Sequence, residues 1–508
     1  MKSFLRPMLA ALLAAVTAAE SATPTPAPER KPNILVILSD DLGYGDAGCY
    51  GAKPEHVVTP NIDRLAKDGL RFTDAHAPAS VCTPSRYSLL TGEYAFRNKL
   101  EWGILPGDAP LGIKPGSFTL PQMFRTNGYA TGFVGKWHLG LGDGGTIDWN
   151  GEVKPGPMEV GFSSAFYMPA TGDRVPTVFI RDHRVDHLDP ADPIKVSYQM
   201  KIGAEPTGSE DPDAAYVLLG AKGQGHENTI TKGVSRIGWM SGGHAALWTD
   251  EKLMDRLTDE AVAFIRTNQA KPFFLYFATH GIHEPRVPAQ RFVGKSGCGV
   301  YGDQIEELDD SVGRVLQTLD DLKLADHTLV VFSSDNGGSP QGGNPLGDMR
   351  AYRYGARSNL HGHVPNGGLR GGKGNVYEGG TREPFIVRWP GHVPAGKAAP
   401  ALVSLTDLEA SFARLLGVKL PDDAAPDSMD VLDALLGKSP TGRHELAEHR
   451  AVSSCALRVD NWKFINGQLY DLSNDLSETH DLAQEQPDRA QAMAARLKEL
   501  QAAKKTRI

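Results

Sequence analysis

Four short polar clusters in this chain each follow an apolar run. Asp40-Asp41 comes after Ile34 to Leu38, and Asp335-Asn336-Gly337 after Leu329 to Phe332. Gly135-Lys136-Trp137-His138 comes after Tyr129 to Val134, and Thr279-His280-Gly281-Ile282-His283-Glu284-Pro285 after Phe273 to Ala278. Asp40, Asp41, Asp335 and Asn336 offer hard oxygen donors, which suit Ca²⁺, or Mg²⁺ less well. Zinc would prefer His or Cys. Taken singly, Asp40-Asp41 reads as a helix cap and Asp335-Asn336-Gly337 as a turn. Taken together, two buried acidic pairs need a cation. Beside that cation, Lys136, His138, His280 and His283 would build a pocket for a tetrahedral anion.

A fifth segment, Cys82-Thr83-Pro84-Ser85-Arg86 with Thr91-Gly92 beyond it, has helix punctuation: Pro84 fits the first turn and Gly92 the end. Cys82 then sits at a helix N-terminus, where free N–H groups favour an anion and lower a thiol pKa. A structural cysteine beside a cap is the plainer alternative. Lys373 lies in Gly371-Gly372-Lys373-Gly374, and the stretch from Gly367 approaches a phosphate-binding loop. Gly374 replaces the Ser or Thr that such a loop requires, and no strand-to-helix junction follows, so nucleotide binding is rejected.

The elements that must position these groups are legible from periodicity. The four apolar runs lack period-two alternation, as strands buried on both faces do. In open α/β sheets, ligands bind beyond the carboxyl ends of such strands. Tyr301, Ile305, Leu308, Val312, Val315, Leu319 and Leu322 recur at spacings of three and four, an amphipathic helix, and Leu253 to Ile265 is similar. This alternation predicts an α/β fold: a doubly wound, largely parallel sheet flanked by helices. Residues 140–248 and 337–374 read as long irregular loops of functional kind. Past about Pro400 the pattern changes. Leu457 to Ile465 and Gln468 to Leu472 read as two hairpin strands around Asn466-Gly467, and Pro487 to Ala502 as a closing helix. The expected organisation is a catalytic domain over 32–400 and a smaller C-terminal α+β subdomain, with an antiparallel sheet, over 401–508.

Composition narrows the class. The chain has 508 residues, 40 % hydrophobic and 22 % charged, enough for a large core and against wholesale disorder. A formal net charge of −8 argues against nucleic-acid binding, and four cysteines exclude a disulfide-built scaffold. Lys2, Arg6, the apolar run Met8 to Val16 and small residues through Ala19 predict a signal peptide over 1–19, with a Pro-rich tether over 20–31. That run is too short to span a bilayer. The expectation is an exported protein, periplasmic or secreted, without stable membrane insertion.

Cys82-Thr83-Pro84-Ser85-Arg86, with Thr91-Gly92, resembles the C-x-P-S-R signature of the sulfatase family, within the alkaline phosphatase superfamily. The order of Asp40-Asp41, Gly135-Lys136-Trp137-His138, Asp335-Asn336-Gly337 and Gly372-Lys373-Gly374…Tyr377-Glu378-Gly379-Gly380 also matches, and the likeness runs from about Pro32 to the C-terminal helix. It is strongest to arylsulfatase A-like and galactosamine-sulfate-cleaving members. The resemblance implies that a separate maturation enzyme oxidises Cys82 to formylglycine. One hydroxyl of the aldehyde hydrate would attack sulfur, and the other would drive collapse and expel sulfate.

By motif position, Asp40, Asp41, Asp335 and Asn336 would bind Ca²⁺ with the modified Cys82 close by. Asp335 would help deprotonate the attacking hydroxyl, while Arg86 and Lys136 would orient the hydrate. His138 would take the proton that triggers sulfate release. His283 and Lys373 would contact sulfate and protonate the leaving oxygen. His283-Glu284-Pro285 resembles the family's H-x-P segment, which favours His283 over His280. Cys49, Cys298 and Cys455 are expected to form no essential disulfide. The expected substrate is a sulfated carbohydrate, with Trp102, Tyr167, Asp173, Arg174, His183 and Trp239 as candidate contacts. A phosphate or phosphonate ester hydrolase of the same superfamily is the alternative enzyme. An unmatured glycan-binding protein is the alternative without catalysis.

Overall fold

The computed structural model describes residues 31–98, 103–217, 225–339, 360–451 and 454–507. The predicted signal peptide, the tether up to residue 30, and Trp102 lie outside the described residues. Among the described residues, no helix is long and apolar enough to cross a membrane.

Ten strands form the central sheet. In chain order they are β1 (Asn33–Ser39), β2 (Leu70–Phe72), β3 (Ala130–Lys136), β4 (Ser164–Met168), β5 (Ile180–Arg181), β6 (Arg184–Val185), β7 (Phe273–Ala278), β8 (Thr328–Ser334), β9 (Phe385–Arg388) and β10 (Lys397–Ala399). Their spatial order is β10-β2-β9-β8-β1-β7-β3-β4-β5-β6. The middle of the sheet, β8-β1-β7-β3-β4, is parallel throughout. Antiparallel strands flank it on both sides: β9 pairs with β8, and β5 with β4.

Successive side chains along β1 enter opposite cores. Ile34, Val36 and Leu38 join Leu89, Leu90, Phe124 and Phe412 on one face. Leu35 and Ile37 join Leu257, Ile305, Leu308 and Val312 on the other. Both faces are therefore sealed by helices, which is why these strands read as continuous apolar runs. The helices that matter for the site are α1 (Cys82–Thr91), α2 (Leu253–Asn268) and α3 (Gly299–Asp321). Gly92 ends α1 at φ 58°, a left-handed cap that glycine adopts without a Cβ clash.

The C-terminal region carries a separate four-stranded antiparallel sheet: β11 (Glu445–Ala451), β12 (Ser454–Val459), β13 (Trp462–Ile465) and β14 (Gln468–Asp471). One expectation is corrected here, because Leu457 to Ile465 is two strands rather than one. The chain reverses at Asp460-Asn461, with Asp460 at φ 49° and Val459 paired to Trp462. Asp tolerates that left-handed conformation, so a two-residue turn fits inside the run. The Asn466-Gly467 turn is present, with φ of 49° and 92°, and α4 (Pro487–Ala502) closes the chain as expected.

Candidate active site

The carboxyl ends of β1, β8, β3 and β7 converge with the start of α1, and nearly every site residue expected from the sequence is buried there. Asp40, Arg86, Lys136, Asp335 and Asn336 are 0 % exposed, as is Cys82. Lys136 Nζ donates to Asp40 Oδ2 at 2.6 Å, and Arg86 Nε donates to Asp335 Oδ2 at 2.8 Å. Arg86 Nη1 also donates to the Lys136 carbonyl at 3.0 Å, tying α1 to the end of β3. Lys373 Nζ and Asn336 Nδ2 donate to the two oxygens of Asp41, at 2.7 and 2.8 Å. His283 Nε2 lies 3.9 Å from Asp41 Oδ2.

Two site residues hold left-handed backbone without being glycine: Asp41 at φ 63° and His138 at φ 55°. Such positions carry strain on the order of 1–3 kcal/mol and persist only where surrounding contacts impose them. Here Lys373 and Asn336 hold Asp41, and hydrogen bonds to Pro169 and from Thr83 hold the His138 backbone.

The electrostatics are uneven. Burial pushes the Asp40 carboxyl up to about 7, against the pull of Lys136. Burial also acts on Asp41, but Lys373, His283 and Lys136 outweigh it and hold that carboxyl low. Burial and nearby Lys136 drive His138 well below its usual range. Burial and Lys373 do the same to His283. The Cys82 thiol is a correction: its position at a helix start was expected to lower its pKa, yet burial raises it. A fully buried sulfur loses more by desolvation of the thiolate than the end of a ten-residue helix returns.

Hydrogen bonds assign the imidazoles. His283 Nδ1 lies 2.8 Å from the Glu284 carbonyl, which can only accept, so Nδ1 carries hydrogen and Nε2 faces the pocket. His138 Nε2 is likewise 3.0 Å from the Leu105 carbonyl, leaving Nδ1 as the buried nitrogen without a hydrogen-bond partner. His280 is 2 % exposed, with neither nitrogen hydrogen-bonded, and its ring stands 5.9 Å behind that of His283.

The residues fit a bound cation. Donor atoms of Asp40, Asp41, Cys82 and His283 all lie within 4.8 Å of one another. Asp40 Oδ1 and Asn336 Oδ1 are buried without a hydrogen-bond partner. Oxygen donors with unspent lone pairs around one point suit a hard divalent ion.

The pocket above them is a cavity of about 240 Å³, walled by Asp173, Arg174, His226, His283, Arg286 and Lys373 among others. Asp173 and Arg174 were expected from sequence; His226 and Arg286 were missed. Asp173 binds Arg174 Nη1 at 2.8 Å and lies 3.4 Å from His226 Nε2. No periodic pattern marks His226, which sits in irregular chain. Tyr167 is instead buried against Phe133 in the core, His183 pairs with Glu159 at 2.9 Å, and Trp239 lies on a short strand beside Ser197. None of the three lines this pocket. A larger groove of about 830 Å³ lies between the C-terminal sheet and α4, but it holds none of the four polar strand ends. All four cysteines are free.

Comparison with known proteins agrees with this geometry. The family model "Sulfatase" matches residues 32–418. An N-acetylgalactosamine-6-O-sulfatase from Bacteroides thetaiotaomicron is 46 % identical over 479 residues, covering 90 % of this chain and 91 % of the relative. Human arylsulfatase A is 34 % identical, covering 82 % of this chain and 70 % of the relative. A solved Bacteroides thetaiotaomicron structure, reported with the metabolism of multiple glycosaminoglycans, superimposes with a TM-score of 0.88 at 44 % identity. It covers 94 % of this chain and all of its own. Polar strand ends, buried Cys82 and full-length similarity agree, and the chain belongs to the sulfatase family of sulfuric ester hydrolases.

Proposed function

We propose that this protein is an exported, calcium-dependent sulfatase that removes the 6-O-sulfate of N-acetylgalactosamine from a sulfated glycan, using formylglycine made at residue 82 by a maturation enzyme. The observation that carries the substrate is the 46 % identity to an N-acetylgalactosamine-6-O-sulfatase over about nine-tenths of both chains. Calcium, held by Asp40, Asp41, Asp335 and Asn336, would neutralise charge on the sulfate oxygens. The hydrated aldehyde would supply one hydroxyl to attack sulfur and a second to expel sulfate.

The chain's own groups do the rest. Arg86 fixes the Asp335 carboxylate through two contacts on Oδ2, at 2.8 and 2.7 Å, which leaves Oδ1 to accept the proton of the attacking hydroxyl. Lys136, at the end of β3, and Arg86, one turn along α1, orient residue 82. His138 Nδ1, the nitrogen left as acceptor, takes the proton of the second hydroxyl. Lys373 Nζ donates to the leaving sugar oxygen beside the cavity, and His283 Nε2, bare while Nδ1 carries the hydrogen, accepts there and donates only after taking up a proton. Asp173, Arg174 and His226 form a polar wall suited to sugar hydroxyls. Burial excludes bulk water and strengthens each of these interactions.

The test uses protein co-expressed with its maturation enzyme, with the aldehyde at residue 82 confirmed by peptide mass. Sulfate release is then compared on the 6-sulfates of N-acetylgalactosamine and N-acetylglucosamine and on the 4-sulfate of N-acetylgalactosamine. The reading expects the first to be fastest; equal rates, or preference for another, would overturn the substrate assignment.

A further inference from the structure

A second buried ion cluster lies under the active site, where the central sheet meets the C-terminal one. Asp74 and His76 follow β2. Glu378 and Arg382 follow the glycine-rich segment that carries Lys373. Glu448, Arg458 and Lys463 come from β11, β12 and β13, and Glu478 from the loop after β14. Lys463 is 0 % exposed, and its Nζ lies 2.7 Å from Glu378 Oε1 and 2.9 Å from Glu448 Oε2. His76 stands between two carboxylates, with Nδ1 2.7 Å from Glu448 and Nε2 2.8 Å from Asp74. Arg382 joins Glu378 at 2.6 Å and Asp74 at 2.8 Å, and Arg458 joins Asp74 at 3.0 Å. Asp74, His76 and Glu378 are close enough together to hold a metal ion, but these side-chain cations already occupy their oxygens.

The cluster is wired to the reacting groups through backbone. His449, next to Glu448, accepts from Ser80 N at 3.0 Å and donates to the Pro78 carbonyl at 3.1 Å. The Ser80 carbonyl accepts from Gly374 N at 2.7 Å. Residues 449, 80 and 374 therefore stand side by side, with Cys82 two positions beyond Ser80 and Lys373 adjacent to Gly374. On the other side, the helical turn Glu378–Thr381 holds Gly337, next to Asn336, through a 3.1 Å bond from Gly337 N to the Gly380 carbonyl.

Four carboxyls here face three permanent cations and one imidazole, a set balanced in formal charge, with Glu478 the most loosely held at 3.8 Å from Lys463. Buried ion pairs of this kind add little net stability compared with apolar packing of the same volume. What they supply is fixed geometry, and here the geometry belongs to the segments bearing residue 82, Lys373 and Asn336. We propose that this cluster is a positioning device for the reaction: Lys463 and Glu448, reaching in from the C-terminal sheet, set where residue 82 and Lys373 stand relative to one another. The proposal rests on the reading of those two residues as reacting groups. It makes Lys463 and Glu448 positioning residues and the C-terminal sheet a working part of the catalytic site.

The test uses full-length, matured, calcium-loaded protein carrying Lys463→Met or, as the gentler change, Glu448→Gln. Thermal midpoint and the aldehyde content of residue 82 are measured first. Then kcat and KM are measured on aryl sulfates whose phenols range from good to poor leaving groups. The expected result is a kcat loss of about a hundredfold for Lys463→Met, the scale of a 1 Å misplacement, with KM changed little. The loss should be largest for poor leaving groups, which depend most on Lys373. Glu448→Gln should show the same pattern at smaller size, and it carries the test if Lys463→Met does not fold. A folded, aldehyde-bearing variant with unchanged kcat, or one whose loss is the same for every leaving group, would overturn the proposal. Matured wild-type protein that fails to hydrolyse any aryl sulfate would instead sink the functional reading first, and this one with it.

Discussion

The two buried ion clusters differ in what their oxygens meet. In both, carboxylates are matched by formal positive charge: in the active site Asp40, Asp41 and Asp335 face Arg86, Lys136 and Lys373. In the cluster beneath, both Glu448 oxygens lie within 2.9 Å of His76 or Lys463, and its carboxyl is held low despite burial. In the active site, Asp40 Oδ1 has no hydrogen-bond partner, with Arg86 Nη2 3.6 Å away, and burial pushes that carboxyl up to about 7. The lower cluster has its own loose end, Glu478, whose Oε1 is 3.8 Å from Lys463 and whose carboxyl burial pushes up to about 7, but only the active site sets such an acceptor beside a cavity. Matched burial fixes geometry, and unmatched burial beside a cavity marks a place for a ligand.

The largest effect should come from breaking the open cluster at its centre. Cys82→Ala is expected to lower kcat by about 10⁴-fold or more while leaving the fold intact, since a unit that acts through one nucleophile fails with it. Steady-state rates on an aryl sulfate and a melting curve check this. Calcium is the next lever. Added to chelated protein, it should stabilise the fold by about 2.7 kcal/mol at a hundredfold excess over its Kd. That gain should shrink sharply in Asp40→Asn. In Lys463→Met most of it should persist, because Asp40, Asp41 and Asp335 stand on the central sheet and not on the C-terminal one. A calcium shift that vanished in Lys463→Met would erase the distinction between the two regions.

An effect confined to high pH lies outside both. Burial raises Glu307, on α3, from 4.5 to about 8, although Ala289 N donates to it at 3.1 Å. Its folded pKa lies above its unfolded value. Its contribution to stability is therefore complete below about pH 4.5 and is lost as pH rises through 8. Glu307→Gln keeps the acceptor and cannot ionise. It should match wild type near pH 4.5 and be more stable at pH 9, by up to about 5 kcal/mol if the whole shift is realised. Thermal midpoints at the two pH values decide it.

Much of this site could be read from sequence, for a physical reason. Strands buried on both faces are uninterrupted apolar runs, so the polar residues that end β1, β3, β7 and β8 stood out. Pro84 and Gly92 bracketed α1 for similarly local reasons. What was not legible depended on contacts between distant residues. The turn at Asp460-Asn461 hid between two short β-prone runs because its Asp carries the left-handed conformation without a glycine. The direction of the Cys82 shift required knowing that α1 is buried along its whole length. His226 and Arg286 reach the pocket from loops with no periodicity. Glu448, Lys463, Glu378 and His76 meet across nearly four hundred positions, with no local signal at any of them.

The measurement that tests the central claim most directly compares hydrolysis of an aryl sulfate and an aryl phosphate by matured protein in calcium, with Cys82→Ala alongside. The account expects clear preference for the sulfate, abolished in Cys82→Ala. Preference for the phosphate, or sulfate hydrolysis that survives the loss of Cys82, would contradict it.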